Sequence, residues 1–417
     1  MGWNSWDCYG AGVNEERFLA NAAVMAEKLL KHGYEYAVID IEWSEPNAVS
    51  TAYHHFSPLY MDEYCRLIPA PERFPSAAGG RGFKPIADKV HAMGLKFGIH
   101  IMRGIPRQAV YSGGVTASGV KASEIADPNA VCPWNSEMYG VQNTPAGQAY
   151  YDSLFELYAS WDVDFIKCDD ICVTEGSNRD EYYGRHEIEM MRRAIGKCKR
   201  PMVLSLSPGP ASVDNAAHLA LYADMWRLTG DFWDEWNALK RMFDITEKWY
   251  PWTGQGGYPD CDMLPIGMLS VNDPENRHRS RFTRGELETM IALWCVFRAP
   301  LIIGGELTMM NDDEIALLTD EYLLGINRSG SGQRPLLPGS DIRAWRVTDA
   351  DGCKCLVLFD TCDTDVTFDL ENIPLFDRFF GKILYREYTP GEGFAPERGD
   401  RTVNLRAHSP KILRFCE

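Results

Sequence analysis

Short apolar runs alternate with helix-like segments along most of this chain, and that alternation constrains its fold more than any other feature. "YAVIDI" (36–41) follows the amphipathic "EERFLANAAVMAEKLLKHG", where Leu19, Ala22, Ala23, Ala26 and Leu30 are expected on one face and Gly33 marks the stop. "LKFGIHI" (95–101) follows "FKPIADKVHAMG", a helix closed by Gly94. "VDFIKC" (163–168), "MVLSLS" (202–207), "ALYADMWRL" (220–228), "MLPIGML" (263–269) and "PLIIGGEL" (300–307) continue the series, and "MGWNSW" at the start makes eight strand candidates. Strands separated by helices imply βα units and a parallel sheet. Eight of them over about 325 residues predict an α/β fold of the (β/α)8 TIM-barrel type in preference to a doubly wound sheet.

The texture changes after Asn327. "RSGSGQRPLLPGS" (328–340) reads as a linker or turn region, and "IRAWRV", "CLVLFD", "VTFDL", "KILYREY" and "KILRFC" follow as short strands. The expected organisation is a catalytic barrel over 1–328 and a C-terminal antiparallel β-sandwich domain over 335–417. The segment 103–147 is long for a loop, and long loops at the C-terminal face of a barrel shape its active site.

A net charge of -17 argues against nucleic acid and anionic membranes as partners and suits neutral, polyhydroxylated substrates. None of the apolar runs reaches the roughly 18 residues of a membrane span, and Met1-Gly2-Trp3-Asn4 lacks the basic and apolar regions of a signal peptide. The 12 cysteines show no zinc spacing, Cys168/Cys172 and Cys353/Cys355 being the nearest to it. Most of them are expected free and buried, in a cytoplasmic protein, although upstream residues could have been trimmed.

Working residues of a barrel come from strand ends at the C-terminal face. Those ends collect Trp3 and Trp6, Asp40, His100, Lys167 and Asp169, Ser205 and Ser207, Arg227 and Asp231. Lys167 and Asp169 lie two apart on one face of a strand, so the lysine keeps the acid ionised. Two aspartates from separated strands, with aromatics around them, suit glycoside hydrolysis. The alternative for any single strand-end aspartate is a helix cap or loop ligand.

"MGWNSWDCYG", "GYEYAVIDIEW", "GLKFGIHI", "VDFIKCDDIC", "WRLTGDFWDEW", "GGYPDCDMLPIG" and "RAPLIIGGEL", in this order, resemble the α-galactosidase family, glycoside hydrolase family 27. The resemblance covers residues 1 to about 330, and the β-rich tail is similar to the family's C-terminal domain. It implies a retaining mechanism with Asp169 as nucleophile, from the family's K-x-D pattern, and Asp231 as acid/base, from R-x-x-x-D. Arg227 would bind the 2-hydroxyl and orient Asp231, Lys167 would bond sugar hydroxyls, and Trp6 would stack on the ring unless it is a core tryptophan. His100 stands where the family often has tyrosine and is expected to touch the sugar. Asp260 and Asp262 match a family Asp-Pro-Asp with cysteine for proline, and are read as supporting residues or plain loop structure. This chemistry needs no metal or cofactor, and the partner expected is a glycoside, with a homo-oligomer possible.

Two departures bear on the sugar. Family members acting on α-D-galactosides usually read D-D-C-W after the second strand, whereas this chain reads Asp40-Ile41-Glu42-Trp43. Asp40 can still grip the 4-hydroxyl region, but Ile41 puts an apolar group where a hydroxymethyl would lie. β-L-Arabinopyranose is α-D-galactopyranose without C6, and the family's β-L-arabinopyranosidases replace this aspartate. The alternative is that Ile41 points into the barrel wall and galactose is accepted. Secondly, Ser207 and Ala211 in "LSLSPGPAS" resemble the pair that admits an acetamido group in α-N-acetylgalactosaminidases, although Pro208 replaces the tryptophan between them. A non-catalytic sugar-binding protein is the reading from another class, and the presence of both aspartates speaks against it.

Overall fold

The computed structural model describes residues 1–49, 53–172, 182–381 and 383–416, which form two compact units. The first holds an eight-stranded parallel sheet whose strands follow chain order: β1 (Gly2–Asn4), β2 (Tyr36–Ile39), β3 (Lys96–Met102), β4 (Phe165–Asp169), β5 (Val203–Leu206), β6 (Met225–Arg227), β7 (Tyr258–Asp260) and β8 (Ile302–Ile303). β8 pairs with β1, and a parallel bridge between Leu264 and Ile303 joins the far edge to β8, closing the (β/α)8 TIM barrel. Val38, Phe165, Met225, Met263 and Ile302 cluster in its interior.

Three expectations need correcting here. The seventh strand is Tyr258–Asp260, not "MLPIGML"; that run crosses to the neighbouring edge, supplying only the Leu264 bridge and a two-residue piece at Met268–Leu269. "ALYADMWRL" divides into a helix ending at Tyr222 and the strand Met225–Arg227. The first long helix, α1 (Glu15–Val24), buries Phe18, Asn21 and Ala22, and the π-turn that continues it buries Met25 and Leu29. Ala23 is exposed. The buried stripe runs through Phe18, Ala22, Met25 and Leu29, one helical turn apart, which turns Ala23 out to solvent.

The second unit comprises Phe232–Gly254, Ser280–Leu301 and Met310–Glu417. Its helix α2 (Arg284–Phe297) starts in a Thr283–Glu286 capping box and is buried from Thr289 to Phe297. Among its strands, Ile342–Thr348, Lys354–Asp360 and Pro410–Phe415 pair antiparallel in a six-stranded sheet. Val366–Asp369 and Thr402–Leu405 form a second, two-stranded sheet. Ile342, Leu356 and Leu413 of one share a core with Phe368, Val403 and Leu405 of the other. The presumed linker is partly a strand: Ser331–Pro335 pairs with Ile342–Thr348 as an edge, with a bulge between Ser331 and Arg334. Of "KILYREY", Lys382 lies outside the described residues, and the strand itself is Arg386–Thr389. Ten cysteines are free, eight of them buried, in line with the expectation for most of the twelve, and Cys353 and Cys416 form a disulfide. Among the described residues no helix is long and apolar enough to cross a membrane.

Candidate active site

The C-terminal strand ends enclose a pocket of about 430 Å³ lined by Trp6, Asp40, Ile41, Tyr53, Trp134, Lys167, Asp169, Ser207, Gly209, Arg227, Gly230 and Asp231. Trp6, Asp40, Ile41, Lys167, Asp169, Ser207, Arg227 and Asp231, all singled out from sequence, therefore face one cavity. His100 is 1% exposed and does not line the pocket. Its Nε2 stands 3.3 Å from Asp169 Oδ2, so it backs the carboxylate. The strand register explains this: His100 pairs with Lys167, and Met102 with Asp169.

Asp169 is held at both oxygens, since Oδ1 accepts the Asp170 amide at 2.8 Å. Burial alone would raise its pKa, but the adjoining His100 ring and the Arg227 and Lys167 charges outweigh it and hold the carboxyl below its ordinary value. The acid is therefore ionised at neutral pH. Asp40 is braced more fully. Its Oδ2 accepts from Lys167 Nζ and from Asn4 Nδ2, both at 2.8 Å, and its Oδ1 accepts the Ile41 amide at 2.9 Å. Burial opposes ionisation there too, but the Lys167 charge keeps the carboxyl far below the usual range. Lys167 is itself pushed up to about 12, the attraction of Asp40 and Asp169 overcoming its burial.

Across the pocket, Arg227 Nη1 donates to Asp231 Oδ1 at 2.8 Å and lies 3.6 Å from Asp262. The guanidinium is buried while the Asp231 side chain is 45% exposed, so this carboxyl is anchored at one oxygen and open to water. Asp260 and Asp262 do not line the pocket. They lie behind Arg227, and burial together with the Asp262 charge pushes Asp260 up to about 7. The Ser207 hydroxyl is buried without a hydrogen-bond partner, a free polar group on the pocket wall. Ala211 is buried and absent from the lining, so the Ser207/Ala211 pairing does not carry over.

The remaining wall is apolar. Ile41 is 3% exposed, lines the pocket beside Asp40, and packs in a cluster that includes Trp6, Tyr53 and Trp134. Trp6 stacks on Tyr53 at 6.2 Å with 7° between the rings, and Trp134 meets Tyr53 at 5.4 Å. Trp3 and Ser205, gathered with the strand ends, are buried outside the lining; Trp3 is a core residue whose Nε1 donates to Gly305 O. Tyr53 and Trp134 were the residues missed. They sit on βα loops, where no periodic pattern marks them, although the length of 103–147 pointed to one of those loops. Glu42, with a φ of 66°, does not line the pocket and accepts from Asn135 Nδ2 at 2.6 Å.

A barrel presenting three carboxylates, a lysine, an arginine and stacked aromatics at one mouth defines a glycosidase architecture. Residues 135–329 match the family model described as "Alpha galactosidase A". The chain is 43% identical to the GH27 β-L-arabinopyranosidase of Geobacillus stearothermophilus, with a TM-score of 0.93, over 100% of this chain and 96% of that one. It is 42% identical to a putative α-N-acetylgalactosaminidase from Bacillus halodurans, with a TM-score of 0.85, over 99% and 96%. A rice (Oryza sativa subsp. japonica) α-galactosidase is 26% identical over 86% of this chain and 70% of its own length. The chain belongs to the α-galactosidase family, glycoside hydrolase family 27, and is a glycosidase.

Proposed function

We propose that this enzyme is a retaining, exo-acting glycosidase that removes terminal β-L-arabinopyranose, with Asp169 as nucleophile and Asp231 as acid/base. The observation that carries the choice of sugar is Ile41, which lines the pocket beside Asp40 inside an apolar cluster of three aromatic rings. A hydroxymethyl there would lose its water without gaining a partner, whereas the hydrogen that arabinopyranose carries at C5 has no such water to lose. The arabinopyranosidase relative, of which a variant has been solved with arabinose, supports the same sugar.

In the first step the ionised Asp169 attacks the anomeric carbon while the bond to the leaving oxygen breaks, and Asp231 gives that oxygen its proton. In the second, Asp231 takes a proton from water, whose oxygen attacks the same carbon and releases Asp169. Asp40 and Lys167 form one braced pair that receives ring hydroxyls, and Trp6 offers a flat face to the sugar. Arg227 holds Asp231 in place through both steps. In this reading residues 1–328 form the catalytic domain and 335–417 a β-sandwich.

A second reading, hydrolysis of α-D-galactosides or α-N-acetylgalactosaminides, is favoured by the unpartnered Ser207 hydroxyl and the Bacillus halodurans relative. Turnover of p-nitrophenyl β-L-arabinopyranoside, α-D-galactopyranoside and α-N-acetylgalactosaminide, measured side by side, separates the readings. Arabinopyranoside is expected to lead, and a wide margin for either other sugar replaces the proposal. Asp169→Ala is expected to lose turnover by more than about 1,000-fold with its melting temperature kept. Activity surviving that change removes Asp169 from the role.

A further inference from the structure

A second cavity, of about 380 Å³, is built from the loops after β2 and β3, at the same end of the barrel as the catalytic pocket. Phe56, Ser57, Arg107, Gln108, Tyr111 and Ser136 line it, among others. The two cavities share their partition. Segment 53–57 gives Tyr53 to the catalytic pocket and Phe56 to the second cavity, and segment 134–137 gives Trp134 to the first and Ser136 to the second.

The rings of this cavity are set open to water. Phe56 is 72% exposed and Tyr111 70%, where burying either against the core would gain free energy. Phe56 also has a φ of 64°, an uncommon conformation for a bulky side chain, and strain of that kind gathers at functional sites. Arg107 keeps the rings apart. Its guanidinium lies 5.0 Å from the centroids of Phe56 and Tyr139, 5.9 Å from that of Tyr111, and Nη1 donates to Ser136 O at 2.8 Å. Flat apolar faces with hydroxyl and amide groups between them match a pyranose ring, which is apolar on its C–H faces and polar at its rim.

We propose that this cavity binds a sugar unit on the leaving-group side of the same saccharide chain whose terminal residue occupies the catalytic pocket. The proposal rests on the glycosidase reading and extends it to the remainder of the substrate. Phe56 and Tyr111 supply the ring faces, and Arg107 fixes their spacing.

The test compares Phe56→Ala and Tyr111→Ala with the wild type on two substrates, methyl β-L-arabinopyranoside and an oligosaccharide of three or more units ending in the same sugar. Each variant is expected to raise KM for the oligosaccharide about five-fold, leaving kcat and all kinetics on the methyl glycoside unchanged. Equal KM in variant and wild type overturns the proposal. A wild type that turns over neither substrate refutes the choice of glycone alone. Calorimetric titration of the intact oligosaccharide then decides, about five-fold weaker binding in the variants supporting the cavity and equal binding overturning it. Sedimentation of the same variants guards against another occupant. Dissociation of an oligomer at unchanged oligosaccharide KM would assign the rings to a second copy of the chain and overturn the proposal.

Discussion

Ile41 concentrates the question of specificity in one side chain. It sits one position after a fully braced carboxylate and packs against Trp6, Tyr53 and Trp134. Ile41→Asp is expected to raise the ratio of kcat/KM for galactoside over arabinopyranoside by about 10- to 100-fold, the range of one charge-assisted hydrogen bond. Parallel kinetics on the two p-nitrophenyl glycosides would show it, with the melting temperature confirming that the variant folds. An unchanged ratio would place the discrimination elsewhere. At this scale the strand-borne residues were legible because a strand alternates its sides. Lys167 and Asp169 could be placed on one face without a structure. His100 pairs with Lys167 in the same register, yet it is buried and meets Asp169 instead of lining the pocket.

Among the elements, the loop after β3 gives Trp134 to the pocket and, close by, meets the loop after β2 through a pair of acids. Glu137 is pushed up to about 9 by burial and by the nearby Glu42, so it retains its proton at neutral pH. Glu42 is raised as well, chiefly by burial. Also facing this pair are Glu45, Arg73 and His100, while Asn135 bonds Glu42. A folded-state pKa above the unfolded value, near 4.3 for glutamate, gives stability that is complete below that value and lost as pH rises through about 9. The melting temperature is therefore expected to fall between pH 5 and 9, and to fall less in Glu137→Gln, which carries no titrating proton. Parallel slopes in the two proteins would mean the pair does not share a proton.

Other elements explain what the sequence concealed. The run "MLPIGML" is more apolar than "YPD", yet it is the latter that pairs with β6, because a strand is fixed by its register and not by its hydrophobicity. Similarly, "SGQRP" has the composition of a linker and becomes a strand only because Ile342–Thr348 offers it a partner. Composition without the partner could not reveal it. Tyr53 and Trp134 stayed hidden for a related reason, as loop residues acquire their position from distant contacts.

For the molecule as a whole, the division into two units and the cysteine chemistry matter most. The Cys353–Cys416 bond links the start of one strand to the end of its neighbour, across 63 residues of sequence, and no local spacing could have announced it. Thiol titration of the denatured, unreduced protein is expected to return 10 groups, all the cysteines outside that pair. Twelve would mean that the bond does not form.

The bulged edge strand Ser331–Pro335 has a consequence for the enzyme at high concentration. Its register breaks between Ser331 and Arg334, its last residue lacks an amide hydrogen, and the opposite edge of the same sheet is the two-residue Gly393–Phe394. Neither border offers a neighbouring molecule a continuous ladder to extend. Growth of this sheet from one copy into the next is disfavoured at both of its edges, which lowers one route to fibrillar aggregation in crowded solutions of the protein.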